Sequence, residues 1–285
     1  MGEGIEALQP CFAALTDIAL AVCAGALLLR AFMPGGLFAR ALSLGLAALG
    51  VGLCAGLWLG AASMSGTEGA AVWRAVPAVL AQTSFGHAAL AAGLAWCVLL
   101  IVFAARGRIS HWTHAAWCAI AVLCIARAAS GHAMDEGWGA YAVWVHAAHV
   151  AAGAVWAGTV FLAAGLALSW RHWAVQERCE FARHISRIAT WALIAVAASG
   201  AVNAWRMLGG SALSLDDSYT ALLAGKLACV GLAVCMGGYN RWRVMPVLME
   251  KGAARRFACV LAVEGLVLLA ALLLAARLGA TMPPM

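Results

Sequence analysis

Four histidines and two methionines carry the clearest chemical signal in this 285-residue sequence. His87 opens one apolar stretch, and His132 and Met134 follow the end of the next. His146 and His149 fall in the first two turns of the stretch after that, and Met64 ends an earlier one. Three residues separate His146 from His149, so a helix would place both on one face. Imidazole and thioether without a carboxylate suit copper: Cu(I) takes both donors and Cu(II) takes imidazole. Zinc is less favoured, because no cysteine joins the group. The alternative is structural: each imidazole sits at a helix end, bonded to a carbonyl or to water.

A second set consists of ionisable residues inside apolar stretches, where charge is costly and functional roles concentrate. These are Asp17, Lys226 and Glu264. Counted along helices, Asp17 lies about 13 Å and Lys226 about 10 Å below one end of the bundle. They are expected to pair. Glu264 enters about 10 Å from the opposite end. The set reads as a buried polar clasp between helices or as a proton or ion relay. His111, His114, His172 and His184 stand among arginines in short loops and read as interfacial. Cys235, Met236 and Cys259 could form a soft exit site, although helix packing explains them as well.

Long apolar elements must position these residues. Hydrophobic residues make up 65% of the chain and charged residues only 11%. A soluble domain is about a quarter charged. The excess apolar surface therefore faces lipid, and the chain has room for about eight spans with no sizeable soluble domain. Apolar runs place the spans at about 8–29, 41–63, 84–104, 113–131, 142–169, 182–206, 219–239 and 257–276. The stretch 70–82 reads as an interfacial lead-in to the third span. The runs are long and do not alternate, which argues against a β-barrel. The expected fold is an all-α polytopic bundle, with a four-helix half over 1–140 and another over 141–285. The N-terminus, MGEGIEALQP, is acidic where a secretory signal is basic, so the first span is expected to be retained.

Most of the 18 basic residues fall in the connections after odd-numbered spans, which predicts that both termini face outward. Gly45, Gly52, Gly56 and Gly60 read as close helix packing. Trp58, Trp73, Trp138 and Trp144 read as one interfacial belt, and Trp112, Trp170, Trp173 and Trp242 as the other. Cys23, Cys97, Cys118, Cys124 and Cys229 read as small buried hydrophobes, not a disulfide framework. The net charge of +6 reads as loop bias, and no nucleic-acid partner is expected. No GxSxG, Walker or HExxH motif is present, and an enzyme is not expected.

Residues 130–162 read SGHAMDEGWGAYAVWVHAAHVAAGAVWAGTVFL. With Gly131, His132 and Ala133, then His149, Trp156 and Gly158, this resembles the copper-resistance D family of bacterial inner-membrane proteins. FARHISRIA, SGAVNAW with Asn203, YTALLAGKL with Lys226, GYNRWRVMP and VEG with Glu264 continue the likeness in the same order. The resemblance covers about 130–276 well. SMSG at 63–66 and TSFG at 83–86 extend it more loosely. It implies copper homeostasis in a bacterial inner membrane, with copper moving from periplasm to cytoplasm. Copper would be captured at His87, His132, His146, His149, Met64 and Met134, and would pass Trp156 and Asn203. Asp17, Lys226 and Glu264 would hold the bundle or move protons. A periplasmic copper-binding protein is a natural partner. A second reading makes His87, His132 and His149, on neighbouring helices, the axial ligands of a b-type haem in a membrane electron-transfer protein acting on copper or quinone.

Overall fold

The computed structural model describes residues 2–131, 137, 140–168, 170, 173–208, 217–250 and 252–281. Among them are nine α-helices and no strand. In chain order they are α1 (Gly2–Leu29), α2 (Gly35–Ser65), α3 (Val72–Gln82), α4 (Ser84–Ala104), α5 (Trp112–Ala129), α6 (Tyr141–Leu168), α7 (Val175–Leu208), α8 (Ser218–Tyr239) and α9 (Ala253–Gly279). Eight of the nine are long and apolar enough to cross a membrane, and each coincides with one expected span. The short α3 is the expected lead-in segment. The protein is an all-α multi-pass membrane protein.

Local chemistry sets the helix ends. Thr83 caps α4 by accepting from the Gly86 N–H at 2.9 Å. Asp217 caps α8 by accepting from the Thr220 N–H at 2.9 Å. Gly66, at φ +63°, closes α2 in the left-handed conformation that glycine adopts without strain. α7 begins seven residues before its expected span. There Glu177 reaches back to accept from the Ala174 N–H at 2.9 Å, half of a capping box, and so extends the helix through a polar first turn. After α8 the chain widens into a π turn at Asn240–Val244 and tightens into a 3-10 turn at Met245–Val247.

Helix α1 occupies the middle, against α2, α6 and α9, with a smaller contact to α5. Its crossing with α6 is made by Gly25 and Gly158. A Cβ on Gly25 would strike the Gly158 carbonyl, and one on Gly158 would strike the Ala21 carbonyl. Small residues let two backbones meet where lipid supplies no hydrophobic drive for association. The expected glycine face of α2 behaves the same way at three positions: Gly45 against Cys23, Gly52 against Thr16 and Gly60 against Phe85. Gly56 faces open space. α7 packs on α6 and α8 on α9, but α7 and α8 do not pair with each other. Few residues in their most apolar stretches are buried.

Two expectations change. Trp170 is a core residue and not part of an interfacial belt: it is buried, stacks on Phe257 at 5.2 Å and meets Phe181 edge-on at 5.7 Å. Cys23 and Cys124 are buried, but Cys97 and Cys118 are exposed on their helices and Cys229 is half-buried. Small thiols serve on a lipid-facing surface as readily as in a core. The expected belt residue Trp138, the charged residues Asp135, Glu136, Arg171, Asp216 and Lys251, and His172 lie outside the described residues.

Candidate functional site

Helix α6 carries His146 and His149 one turn apart. Their rings lie 6.3 Å apart and nearly parallel, at 17°. Both turn toward α7. His149 Nδ1 is 3.1 Å from Ser199 Oγ, and His146 Nδ1 is 3.3 Å from Asn203 Nδ2. Ser199 and Asn203 are four residues apart on α7 and match the one-turn spacing on α6. Gly200 lies flat against the His149 ring, where an added Cβ would sit 3.1 Å from Cε1.

These bonds set the imidazole protons. Ser199 donates its hydroxyl to the Ala195 carbonyl at 2.5 Å, so toward His149 it acts as acceptor. His149 therefore donates from Nδ1. The ring's lone pair is left on Nε2, the arrangement of a metal-ligating histidine oriented by an outer hydrogen bond. At His146 the Asn203 amide donates to Nδ1, which places that ring's proton on Nε2. Turning the amide over, so that its oxygen accepts from Nδ1–H, would free Nε2 there as well.

Arg127, Lys226 and Arg206 lie within electrostatic reach of His146, and Lys226 within reach of His149. The Arg206 guanidinium sits 5.3 Å from the Tyr141 ring centroid, at the mouth of the α6–α7 contact. Asp17 faces this group from α1. The expected Asp17–Lys226 pair is not what forms. Arg127 Nε donates to Asp17 Oδ1 at 2.8 Å and Arg127 Nη2 to Oδ2 at 3.1 Å, a two-pronged ion pair. Lys226 remains within electrostatic reach of Asp17. The planar guanidinium presents two parallel donors to a carboxylate, which an ammonium cannot do. Arg127 stands in a span interior just as Lys226 does. Its fork was the available clue that it, and not Lys226, binds the carboxylate.

Deeper along α6, Trp156 is buried and its side chain hydrogen-bonds Glu264 of α9, also buried. The Glu264 carboxyl also lies against Gly237 of α8, where a Cβ would sit 3.4 Å from Oε1. One turn on, Asn240 donates to the Phe257 carbonyl at 3.4 Å, and its own Oδ1 is buried without a partner. From His146 to Trp156 the climb along α6 is about 15 Å.

The other expected ligands sit differently. His87 is exposed, with Nε2 3.3 Å from the Ala81 carbonyl in its own α3–α4 corner. Met64 is exposed in the last turn of α2. His132 and Met134 lie outside the described residues. Among the described residues no three His, Cys, Asp or Glu side chains converge on one point.

Two family profiles match the chain. Residues 4–142 match the copper resistance protein D-like N-terminal domain, and residues 179–278 match copper resistance protein D. The chain belongs to the copper-resistance D family. The two matches cover most of its length and tie this membrane bundle to copper resistance. The N-terminal helices match as well as the C-terminal ones, and α6 lies almost wholly between the two matched segments. Neither the curated proteins nor the solved structures contain a match to the chain.

Proposed function

We propose that this copper-resistance D protein moves copper across a bacterial inner membrane. Copper binds near the end of the bundle where both termini lie and passes along α6 toward the basic end, which faces the cytoplasm. The observation that carries this reading is the imidazole pair on α6, each ring held through Nδ1 by its own polar partner on α7. His149 supplies the first donor from Nε2. His146 supplies the second once the Asn203 amide turns. His87, His132, Met64 and Met134 are further donors at the same end, suited to receiving copper from a periplasmic copper-binding protein. Two imidazoles suffice for Cu(I), which accepts low coordination numbers and soft or borderline donors. Beyond the pair, the Trp156–Glu264 contact supplies an acidic oxygen in the middle of the bundle. Asp17 and Arg127 hold α1 to α5, and Lys226 adds positive charge beside them.

The test is elemental analysis of the detergent-purified protein, together with copper accumulation in cells. His149→Ala is expected to abolish bound copper, and His146→Ala to lower it strongly, with folded protein retained in both. Wild-type copper content in both variants would show that the histidines only hold α6 to α7.

A further inference from the structure

We propose that the basic end of α7, where it faces the π turn after α8, binds the phosphodiester headgroup of an anionic membrane lipid. At this end a cavity of 640 Å³ is lined by Arg183, Ser186, Arg187 and Trp191 of α7 and by Arg241 and Trp242 of the π turn. Arg183 and Arg187 are exposed and one helical turn apart. Like charges at that spacing repel each other on a helix. Arg241 reaches across from the π turn and donates from Nη1 to Ser186 Oγ at 2.9 Å and to Thr190 Oγ1 at 3.0 Å. It thereby brings a third guanidinium to the same cavity. Its partners there are neutral hydroxyls. Among the described residues the one ion pair joins Arg127 and Asp17, so none of these three guanidiniums is neutralised by a carboxylate. Three converging, uncompensated guanidiniums match the several oxygens of a phosphate.

The surroundings make that phosphate part of a lipid. Trp191 and Trp242 flank the cavity and are 68% and 73% exposed, at the level where indoles sit in a bilayer interface. Above the arginines, α7 and α8 do not pair, and the face that carries Arg187 continues through Trp191 to exposed Ile194. Acyl chains can lie along that apolar face while the headgroup meets the guanidiniums. Basic pockets between membrane helices are sites of this chemistry.

The experiment is native mass spectrometry of the full chain in detergent, offered phosphatidylglycerol or phosphatidylcholine at equal concentration. Phosphatidylglycerol should form a one-to-one adduct that phosphatidylcholine does not. Combining R183Q with R187Q should weaken it about thirty-fold, on the order of fivefold per arginine. Both side chains are exposed, so that variant keeps the fold, and the R183K with R187K variant should restore part of the binding. Equal retention of the two lipids, or undiminished phosphatidylglycerol binding by the glutamine variant, would overturn the proposal. Displacement of phosphatidylglycerol by millimolar inorganic phosphate would overturn it too, because the site would then serve a free anion.

Discussion

Breaking the Asp17–Arg127 pair tests how the α1–α5 contact and the α6 imidazoles depend on one another. The two bonds, at 2.8 and 3.1 Å, join side chains that are 15% and 25% exposed, so the pair is neither dry nor freely solvated. Removing one partner from a fully buried pair costs about 3–5 kcal/mol. An exposed pair contributes about 0–1 kcal/mol. The observed exposure places Arg127→Met at roughly 2–3 kcal/mol of destabilisation between those limits. Asp17→Asn should cost about as much or more, because it leaves Arg127 and Lys226 together near His146 without the carboxylate that faces them. Lys226→Met should cost less than about 1 kcal/mol, since it removes an electrostatic neighbour and no hydrogen bond to Asp17. Unfolding free energies in detergent, measured for both single variants and the double variant Asp17→Asn with Arg127→Met, give the coupling directly. The double variant should cost less than the sum of the singles by about 2 kcal/mol. Additive losses, or a Lys226→Met cost equal to that of Arg127→Met, would refute the assignment of the pair.

Other outcomes follow from the same geometry. Ser199→Ala should lower copper affinity about tenfold while sparing the fold, because it removes the acceptor that fixes the His149 tautomer; competition with a Cu(I) chelator measures this, and unchanged affinity would mean the serine does not set the ring. Gly158→Leu should prevent assembly, since even a Cβ meets the Ala21 carbonyl; the monodisperse fraction after detergent extraction is the readout, and a wild-type yield would sink the α1–α6 crossing. Reporter fusions at Met285 and within 171–180 should report opposite sides of the membrane, and the same side for both would overturn the topology.

The spans were legible because lipid imposes one rule along the whole chain. Every backbone polar group must be satisfied within its own segment, so an apolar run of about 20 residues reads as a helix wherever it stands. One end that shifted is set by capping: Glu177 extends α7 through polar residues that hydropathy assigns to a loop. Helix neighbours were not legible. Asp17 and Lys226 match in depth, but depth alone does not say that α5 is the neighbour whose arginine reaches Asp17. The Gly25–Gly158 crossing was missed for the same reason, because two glycines far apart in sequence reveal their meeting only once α1 is known to cross α6. The α6 pair was legible from its spacing of three. Its orienting partners were visible as Ser199 and Asn203, but their role depends on α7 lying against α6.

Charge along α6 favours a monovalent cargo under the proposed function. At the imidazole pair the nearby cations include Arg127 and Lys226, and the Asp17 carboxylate there is held by Arg127. A divalent ion meets twice the repulsion of a monovalent one from the same charges, while neutral imidazole nitrogens offer coordination to either. Cu(I) is therefore the form this end resists least. At mid-depth the balance changes, because Glu264 meets the Trp156 N–H and the Gly237 backbone instead of a cation. Under the proposed function, a cation reaching this depth would meet the carboxyl oxygens of Glu264 and not a fixed positive charge. A carboxyl at that depth would lower the cost of carrying a cation through the centre of the bundle, where an uncompensated charge is most expensive.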